Sequence, residues 1–236
     1  MSSQRTEDIR GPAAGRRLLV INPNTNPAVT RTIRDAAACV VHETTAVTVV
    51  NPATGPFSIE TAEHRALAVP RVISLVSENL SAGYDAFVLG CFDDIGLFES
   101  RALTNVPVVG PCEAGIAAMR TLARRFSIVT TVHAALPGIN DLLMHYGVAD
   151  ICTARAAGVG VADASGNGTE TRMQFLRTIH EAIEVDGAEA ILLGSGGLAG
   201  KASALQADVS VPVIDGVQAA VKMAEGIAMQ FHRKID

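Results

Sequence analysis

The chain has 236 residues, of which 48% are hydrophobic and 18% are charged, and its formal net charge is −5 at pH 7. This length can bury one large core or two small ones, and the composition is typical of a globular protein rather than a disordered one. The negative charge, two Tyr and absence of Trp argue against a nucleic-acid partner. No uncharged apolar run reaches the roughly 18 residues that span a bilayer, so we expect no membrane partner.

The beginning of the chain carries charges of both signs and no apolar stretch, which predicts a flexible tail at residues 1–16 rather than a signal peptide. The cysteines, Cys39, Cys91, Cys112 and Cys152, do not form CxxC pairs. This spacing argues against a structural zinc site and against any other metal site with cysteine ligands. It also argues against a disulfide framework. It favours a reducing, cytoplasmic location, in which a special cysteine is chemical rather than structural.

Predicted strands and helices alternate from the end of this tail onward. In chain order they are a strand at Leu18–Asn22, a helix at about Pro27–Val41, a strand at Ala46–Val50, a helix at Thr61–Leu80, and strands at Ala86–Gly90 and Val106–Gly110. Continuous apolar strands between helices predict a parallel sheet that is covered on both faces.

The same pattern then begins again. Arg125–Thr130 is similar to Arg17–Asn22, Ala188–Gly194 to Tyr84–Gly90, and Val211–Asp215 to Val106–Gly110. The shared order and similar spacing indicate an internal duplication. We therefore predict an α/β protein of two pseudo-symmetric parallel-sheet domains with the active site in the cleft between them. The first domain would comprise residues 17–113 and 215–236, and the second residues 114–214.

The carboxyl ends of the predicted strands carry small, polar or nucleophilic residues. They read Asn22-Pro23-Asn24-Thr25, Gly90-Cys91-Phe92, Thr130-Thr131 and Gly194-Ser195-Gly196-Gly197. Ligands of open α/β sheets bind beyond these ends. Free backbone N–H groups there predict a pocket for a small anionic or amide-rich molecule.

Cys91 is the strongest candidate for chemistry in this pocket. It directly follows a strand and precedes a predicted helix, whose dipole is expected to lower the pKa of the thiol. Ser195 occupies the equivalent place in the second half, so the two groups could serve opposite faces of one carbon. Structural roles stay open, with Cys91 as a small hydrophobic residue at a strand end and Ser195 as part of a glycine-rich loop.

The other cysteines and the histidines are weaker candidates. Cys39 and Cys152 are interpreted as packing residues. Cys112 follows a strand and could approach the cleft, and His133 lies close enough to Thr131 in the sequence to line a pocket.

Four acidic residues also follow strands. Asp93 and Asp94 could cap the helix after Cys91, although a carboxylate so close would also oppose thiolate formation. Glu113 and Asp215 end the two similar VPV segments, where they could bind ligand amides or cap helices.

Several of these segments together resemble the hydantoin and allantoin racemases of the aspartate/glutamate racemase superfamily. The resemblance extends over about residues 17–230 and rests on Ile21-Asn22-Pro23-Asn24-Thr25, Gly55-Pro56 with Ser58-Ile59-Glu60, Cys91-Phe92 with Asp94 and Gly96-Leu97, Arg125–Thr131, Leu193-Gly194 with Gly196-Gly197, and Val211–Val217. It implies a homo-oligomeric isomerase that needs no cofactor. The implied substrate is a small cyclic ureide, either a 5-substituted hydantoin or allantoin.

The resemblance also implies residue roles. One cysteine thiolate, here Cys91, removes a proton from the carbon next to a carbonyl, and a second cysteine on the opposite face returns one. Backbone amides at the strand ends stabilise the enolate-like charge. The matching pocket residues are Asn22, Pro23, Asn24, Thr25, Phe92, Thr130 and Thr131, and the second catalytic turn comprises Gly194, Ser195, Gly196 and Gly197.

Two departures from the family pattern stand out. The pattern expects a second cysteine where this chain has Ser195, whose hydroxyl is a far poorer base than a thiolate. Asp93-Asp94-Ile95-Gly96 stands where relatives usually have Gly followed by Asp-Pro-Gly. Three interpretations stay open: an engineered cysteine-to-serine replacement in a racemase, a natural one-thiol enzyme such as a decarboxylase or cis–trans isomerase, and a ligand-binding relative without turnover.

Overall fold

The structure is a computed structural model that describes residues 4–9 and 15–230. The strands in these residues are β1 (Gln4–Ile9), β2 (Arg17–Ile21), β3 (Ala46–Pro52), β4 (Ala86–Leu89), β5 (Val108–Val109), β6 (Phe126–Thr130), β7 (Cys152–Ala156), β8 (Ile191–Leu193) and β9 (Val213–Asp215). The helices are α1 (Pro27–Ala38), α2 (Ala62–Glu78), α3 (Leu97–Arg101), α4 (Pro111–Leu122), α5 (Leu136–His145), α6 (Val161–Ala164), α7 (Thr169–Asp186), α8 (Ala202–Gln206) and α9 (Gly216–Gln230).

The strands form two sheets that repeat one another. The first has the order β1-β3-β2-β4-β5 and the second the order β7-β6-β8-β9. Apart from β1, every neighbouring pair is parallel. In each half, the first parallel strand of the chain order lies between the second and the third. The fourth lies at the edge of the sheet, next to the third. The predicted two-domain, parallel-sheet α/β fold is confirmed.

The first strand differs from the sequence-based expectation of a tail at residues 1–16. Gln4–Ile9 pair antiparallel with β3, with Gln4 opposite Pro52 and Ile9 opposite Val47. Without this strand β3 would be a sheet edge with unpaired N–H and C=O groups, which an added strand satisfies. Residues 1–3 and 10–14 of the expected tail lie outside the described residues.

The two halves exchange helices at their junction. Helix α4 follows the first sheet but buries Ile116 and Met119 against Ile128 and Leu192 of the second. Helix α9 follows the second sheet but contacts β2, β4 and β5 of the first. The two helices also pack against each other, which holds the carboxyl ends of both sheets around one cleft. None of the described helices is long and apolar enough to cross a membrane.

Candidate active site

A pocket lies where the carboxyl ends of the central strands of both halves meet. It encloses about 400 Å³ of space, counting its open mouth. Of the residues predicted to form the site, those that line it are Asn24, Cys91, Phe92, Thr130, Thr131, Gly194, Ser195 and Gly196. Cys91 and Ser195, one from each half, therefore border the same space.

Cys91 and Ser195 sit in equivalent turns. The sulfur of Cys91 accepts a hydrogen bond from the backbone N–H of Asp93, two residues further along the chain. The hydroxyl oxygen of Ser195 accepts one from the backbone N–H of Gly197, also two residues further, at 3.2 Å. The internal duplication thus extends to the two side-chain atoms, each held by one backbone donor.

The two turns approach each other so closely that side chains are excluded between them. A Cβ atom added to Gly196 would lie 2.8 Å from the carbonyl oxygen of Gly90, which precedes Cys91. A Cβ atom on Gly197 would lie 2.5 Å from the carbonyl oxygen of Val161. Both contacts are with backbone, which cannot rotate away. Glycine at position 196 allows the second turn to approach the first, and glycine at position 197 allows it to pack against α6.

Gly196→Ala is therefore expected to destabilise the protein and to widen the pocket. Forcing one methyl group into a packed contact typically costs about 1–3 kcal/mol of unfolding free energy. Gly226→Ala is a matched control, because beyond its own helical turn no atom of the described residues lies within 4 Å of a Cβ built on this α9 glycine. Chemical denaturation of both variants tests the contact, and equal stabilities would contradict it.

Asn22 supports the pocket from behind. It is fully buried, and its side-chain amide donates to Oδ1 of Asn24 at 3.1 Å and to Oγ1 of Thr30 at 2.9 Å. Oδ1 of Asn24 also accepts the N–H of Asn26 at 2.9 Å. Nδ2 of Asn24 donates to no other described residue, so this amide is a hydrogen-bond donor that remains for a ligand.

Four predicted site residues, Asn22, Pro23, Thr25 and Gly197, do not line the pocket. Pro23 is buried, and Thr25 bonds through both its N–H (3.0 Å) and its hydroxyl (3.3 Å) to the carbonyl oxygen of Pro56. The hydrogen bonds of Asn22 and Thr25 hold the loops around the cleft. These four residues lie outside the pocket lining, and their role in substrate binding stays a prediction.

The prediction that a helix dipole lowers the pKa of Cys91 is wrong. Helix α3 begins only at Leu97, after its N-cap Gly96, so no helix starts at the thiol. Burial raises the pKa of Cys91 above its ordinary value, and the nearby carboxylate of Asp93 raises it further. The hydrogen bond from the backbone N–H of Asp93 opposes this rise only in part. The protonated thiol is consequently the resting form near neutral pH.

Asp94 does not cap the helix after Cys91, as the sequence had suggested, but caps α4. Its carboxylate accepts the N–H groups of Cys112 and Glu113, each at 3.0 Å, and the hydroxyl of Tyr146 at 2.7 Å. Its backbone has a φ of 49°. Burial raises the pKa of Asp94 to about 7, although its three donors lower it. The residue ties the Cys91 turn to the second half through Tyr146.

Asp93 lines the pocket and forms an ion pair. Its Oδ2 accepts a hydrogen bond from Nη1 of Arg65, in α2, at 3.1 Å. Burial raises the pKa of Asp93, whereas the guanidinium of Arg65 lowers it. Sequence reasoning treated Asp93 as a helix cap or as a carboxylate that opposes thiolate formation. It did not predict the ion pair, because nothing in the local sequence indicates the distant arginine.

The pocket has further lining residues that the sequence did not single out. They are Val29, Ile59, Ala135 and Val161. Val29 follows the end of β2 in the chain, and Ala135 follows the end of β6. Their place after these strand ends could have indicated that they line the pocket. Ile59 belongs to a segment that carried the family resemblance.

The weaker cysteine and histidine candidates lie elsewhere. Cys112 is completely buried in the core around α4, and Cys152 is buried in β7. Cys39 is exposed rather than packed, because α1 ends at this residue. His133 borders a separate surface depression with Arg155 and does not line the pocket.

Both acidic residues that follow the VPV segments have structural partners. Asp215 caps α9 by accepting the N–H groups of Val217 and Gln218 at 2.8 and 3.1 Å. Glu113 forms an ion pair with Arg101 at 2.5 Å. Within the described residues, no group of three or more His, Cys, Asp or Glu side chains could hold a metal ion.

Comparison with known proteins agrees with this geometry. The chain matches the Asp/Glu/Hydantoin racemase family over residues 18–224. It is 38% identical to a hydantoin racemase of Rhizobium meliloti over 209 residues, which is 88% of this chain and 87% of that protein. It is 39% identical to a hydantoin racemase of Pseudomonas sp. (strain NS671), over 89% of this chain and 85% of the relative.

Solved structures give the same result. The allantoin racemase from Klebsiella pneumoniae superposes with a TM-score of 0.87 at 37% identity, covering 92% of this chain and 89% of the other. A mutant arylmalonate decarboxylase, at 18% identity and a TM-score of 0.66 over 90% of this chain and 92% of the other, shares the fold alone. The repeated sheets, the pocket between them and these similarities lead to one conclusion. The chain belongs to the Asp/Glu/hydantoin racemase family and is an isomerase.

Proposed function

We propose that this protein racemises a hydantoin-type cyclic ureide, either a 5-substituted hydantoin or allantoin, without a cofactor. Cys91 exchanges a proton with one face of the ring carbon and Ser195 serves the other face. The observation that carries this proposal is the pair of equivalent turns on one pocket, each presenting a side-chain atom that accepts a backbone N–H. The names of the relatives supply the substrate class.

The reaction begins at the carbon next to a ring carbonyl. The resting thiol of Cys91 first releases its proton to solvent. The resulting thiolate then takes the proton of this carbon, the C–H bond breaks and an S–H bond forms, and the electron pair passes into the carbonyl as an enolate. Nδ2 of Asn24 and the hydroxyl of Thr131 border the pocket as donors for this negative charge. Donors that are fixed in advance stabilise such charge without reorganisation.

Inversion then requires a proton from the opposite face. The hydroxyl of Ser195 can donate one to the ring carbon, and the N–H of Gly197 partly stabilises the alkoxide that remains until solvent protonates it. An alkoxide forms far less readily than a thiolate, so this step is slow. Return of a proton from Cys91 to its own face is faster and leaves the configuration unchanged.

A deuterium experiment tests this asymmetry. In heavy water, the enantiomer whose hydrogen faces Cys91 is expected to exchange that hydrogen faster than it loses optical rotation. Proton NMR and polarimetry of the same samples give the two rates. Equal exchange of both enantiomers, with no dependence on Cys91, would exclude the proposed division of roles.

A second candidate function is supported by the single thiol in the pocket. Cys91 is the pocket's cysteine, whereas Cys112 and Cys152 are buried in the core and Cys39 is exposed on the surface. A one-thiol decarboxylase or cis–trans isomerase needs only one such group, to protonate an enolate or to add to a double bond. Turnover of an arylmalonate or of maleate, without hydantoin exchange, would favour this alternative. Tight hydantoin binding without exchange, even in Ser195→Cys, would indicate a ligand-binding relative.

A further inference from the structure

The pocket wall beside Cys91 carries a carboxylate with one unused oxygen. Asp93 lines the pocket, and its side chain is only 11% exposed. Its Oδ2 is engaged by Arg65 at 3.1 Å. Among the described residues no donor reaches the other oxygen, Oδ1. A desolvated acceptor of this kind gains considerably from a ligand that brings its own donor.

Arg65 fixes the orientation of this carboxylate. The guanidinium extends from the first half to the second, where a Cβ atom added to Gly138 of α5 would lie 3.0 Å from its Cζ atom. Contact on both sides restricts the movement of Arg65. The ion pair therefore engages Oδ2 of Asp93 and leaves Oδ1 without a donor from the described residues.

The other side-chain oxygens that line the pocket are neutral, and three of them already have partners. Oδ1 of Asn24 accepts from Asn22 and Asn26. Oγ of Ser195 accepts an N–H, and Oγ1 of Thr130 donates to the carbonyl oxygen of Gly194 at 2.8 Å. A carboxylate oxygen is also a stronger acceptor than any of these neutral groups.

A cyclic ureide carries ring N–H donors as well as carbonyl acceptors. We propose that Oδ1 of Asp93 accepts a ring N–H of the substrate, so that the pocket selects neutral ureides with a free N–H over N-alkylated rings and over anionic amino acids. This inference rests on the proposed substrate class and makes Asp93 a substrate-binding residue. Bound in this way, the ring places its reacting carbon next to the sulfur two residues earlier in the chain.

A protein–ligand double-substitution cycle tests this contact. Dissociation constants of a 5-substituted hydantoin and of its two N-methyl derivatives are measured calorimetrically with the wild-type protein and with Asp93→Leu, which keeps the bulk but removes the acceptor. In the wild type, methylation of the bonded nitrogen is expected to weaken binding roughly 10- to 100-fold. In Asp93→Leu the same methylation is expected to matter less than about threefold.

An equal methylation effect in both proteins would overturn the inference. Asp150→Asn is the control for the lost charge, because Asp150 is exposed and does not line the pocket. Should Asp93→Leu fail to fold, Asp93→Asn replaces it, with weaker binding expected for the unmethylated ligand alone. Equal weakening of both ligands would then count against the contact.

Failure of the proposed function gives a different result. Because the cycle measures binding, it reports on Asp93 even if the ring hydrogen never exchanges. If the effect of N-methylation on binding depends on Asp93 but the ring hydrogen does not exchange, racemisation is refuted and the contact is supported. If the ring hydrogen exchanges but the methylation effect is the same with and without Asp93, racemisation is supported and the contact is refuted. If no hydantoin binds, both the contact and the proposed function are refuted.

Discussion

Cys91→Ala is expected to lower the rate of hydrogen exchange at the ring carbon by roughly 10²- to 10⁴-fold, the usual contribution of a positioned acid or base. The thiol is the group on its face of the pocket that can cycle between acid and base, so its removal leaves that face without a proton carrier. Because burial raises the pKa of Cys91, the thiolate fraction and the wild-type exchange rate should both increase as the pH rises through neutrality. NMR-detected exchange in heavy water measures both effects.

Cys39→Ala is the matched control for this loss. Cys39 is an exposed cysteine at the end of α1, so its replacement should leave exchange unchanged. Circular dichroism and thermal denaturation of both variants separate lost chemistry from lost structure. A folded Cys91→Ala protein that exchanges the hydrogen at the wild-type rate would remove Cys91 from the mechanism.

Ser195→Cys is expected to raise the racemisation rate by roughly 10²-fold or more, within the range attributed to a general acid or base. The substitution exchanges one oxygen for sulfur in a turn equivalent to that of Cys91, and the N–H of Gly197 would bond to the new thiol as the N–H of Asp93 bonds to Cys91. A thiol gives up its proton far more readily than a hydroxyl, so both faces would then carry a competent group. Exchange and loss of optical rotation should therefore occur at similar rates.

The racemisation rate of Ser195→Cys tests the proposed two-base geometry. Ser81→Cys introduces a thiol at an exposed position and controls for nonspecific effects of the extra cysteine. Polarimetry with both enantiomers as starting material gives the rate in each direction. If Ser195→Cys binds the substrate but racemises it no faster than the wild type, the two turns do not serve opposite faces of one carbon.

The sequence by itself determined the architecture and indicated the two residues, Cys91 and Ser195, that we propose as the centre of the site. Apolar strands alternating with helices are a local pattern, and their repetition in the second half predicted matching sheets. Because parallel strands end at the same edge of a sheet, Cys91 and Ser195 could be assigned to one cleft from their place after equivalent strands. Similarly, the glycines at 194 and 196 indicated a turn without bulky side chains.

Only the tertiary structure decided the electrostatics of the site. The pKa of Cys91 depends on its burial and on the carboxylate of Asp93, and that carboxylate is oriented by Arg65, 28 positions away in the chain. The carboxylate of Asp94 likewise accepts a hydrogen bond from Tyr146, 52 positions away in the chain. It caps α4 instead of the helix that follows Cys91. Such partners are set by the packing of one half against the other, and a local pattern of residues carries no information about them.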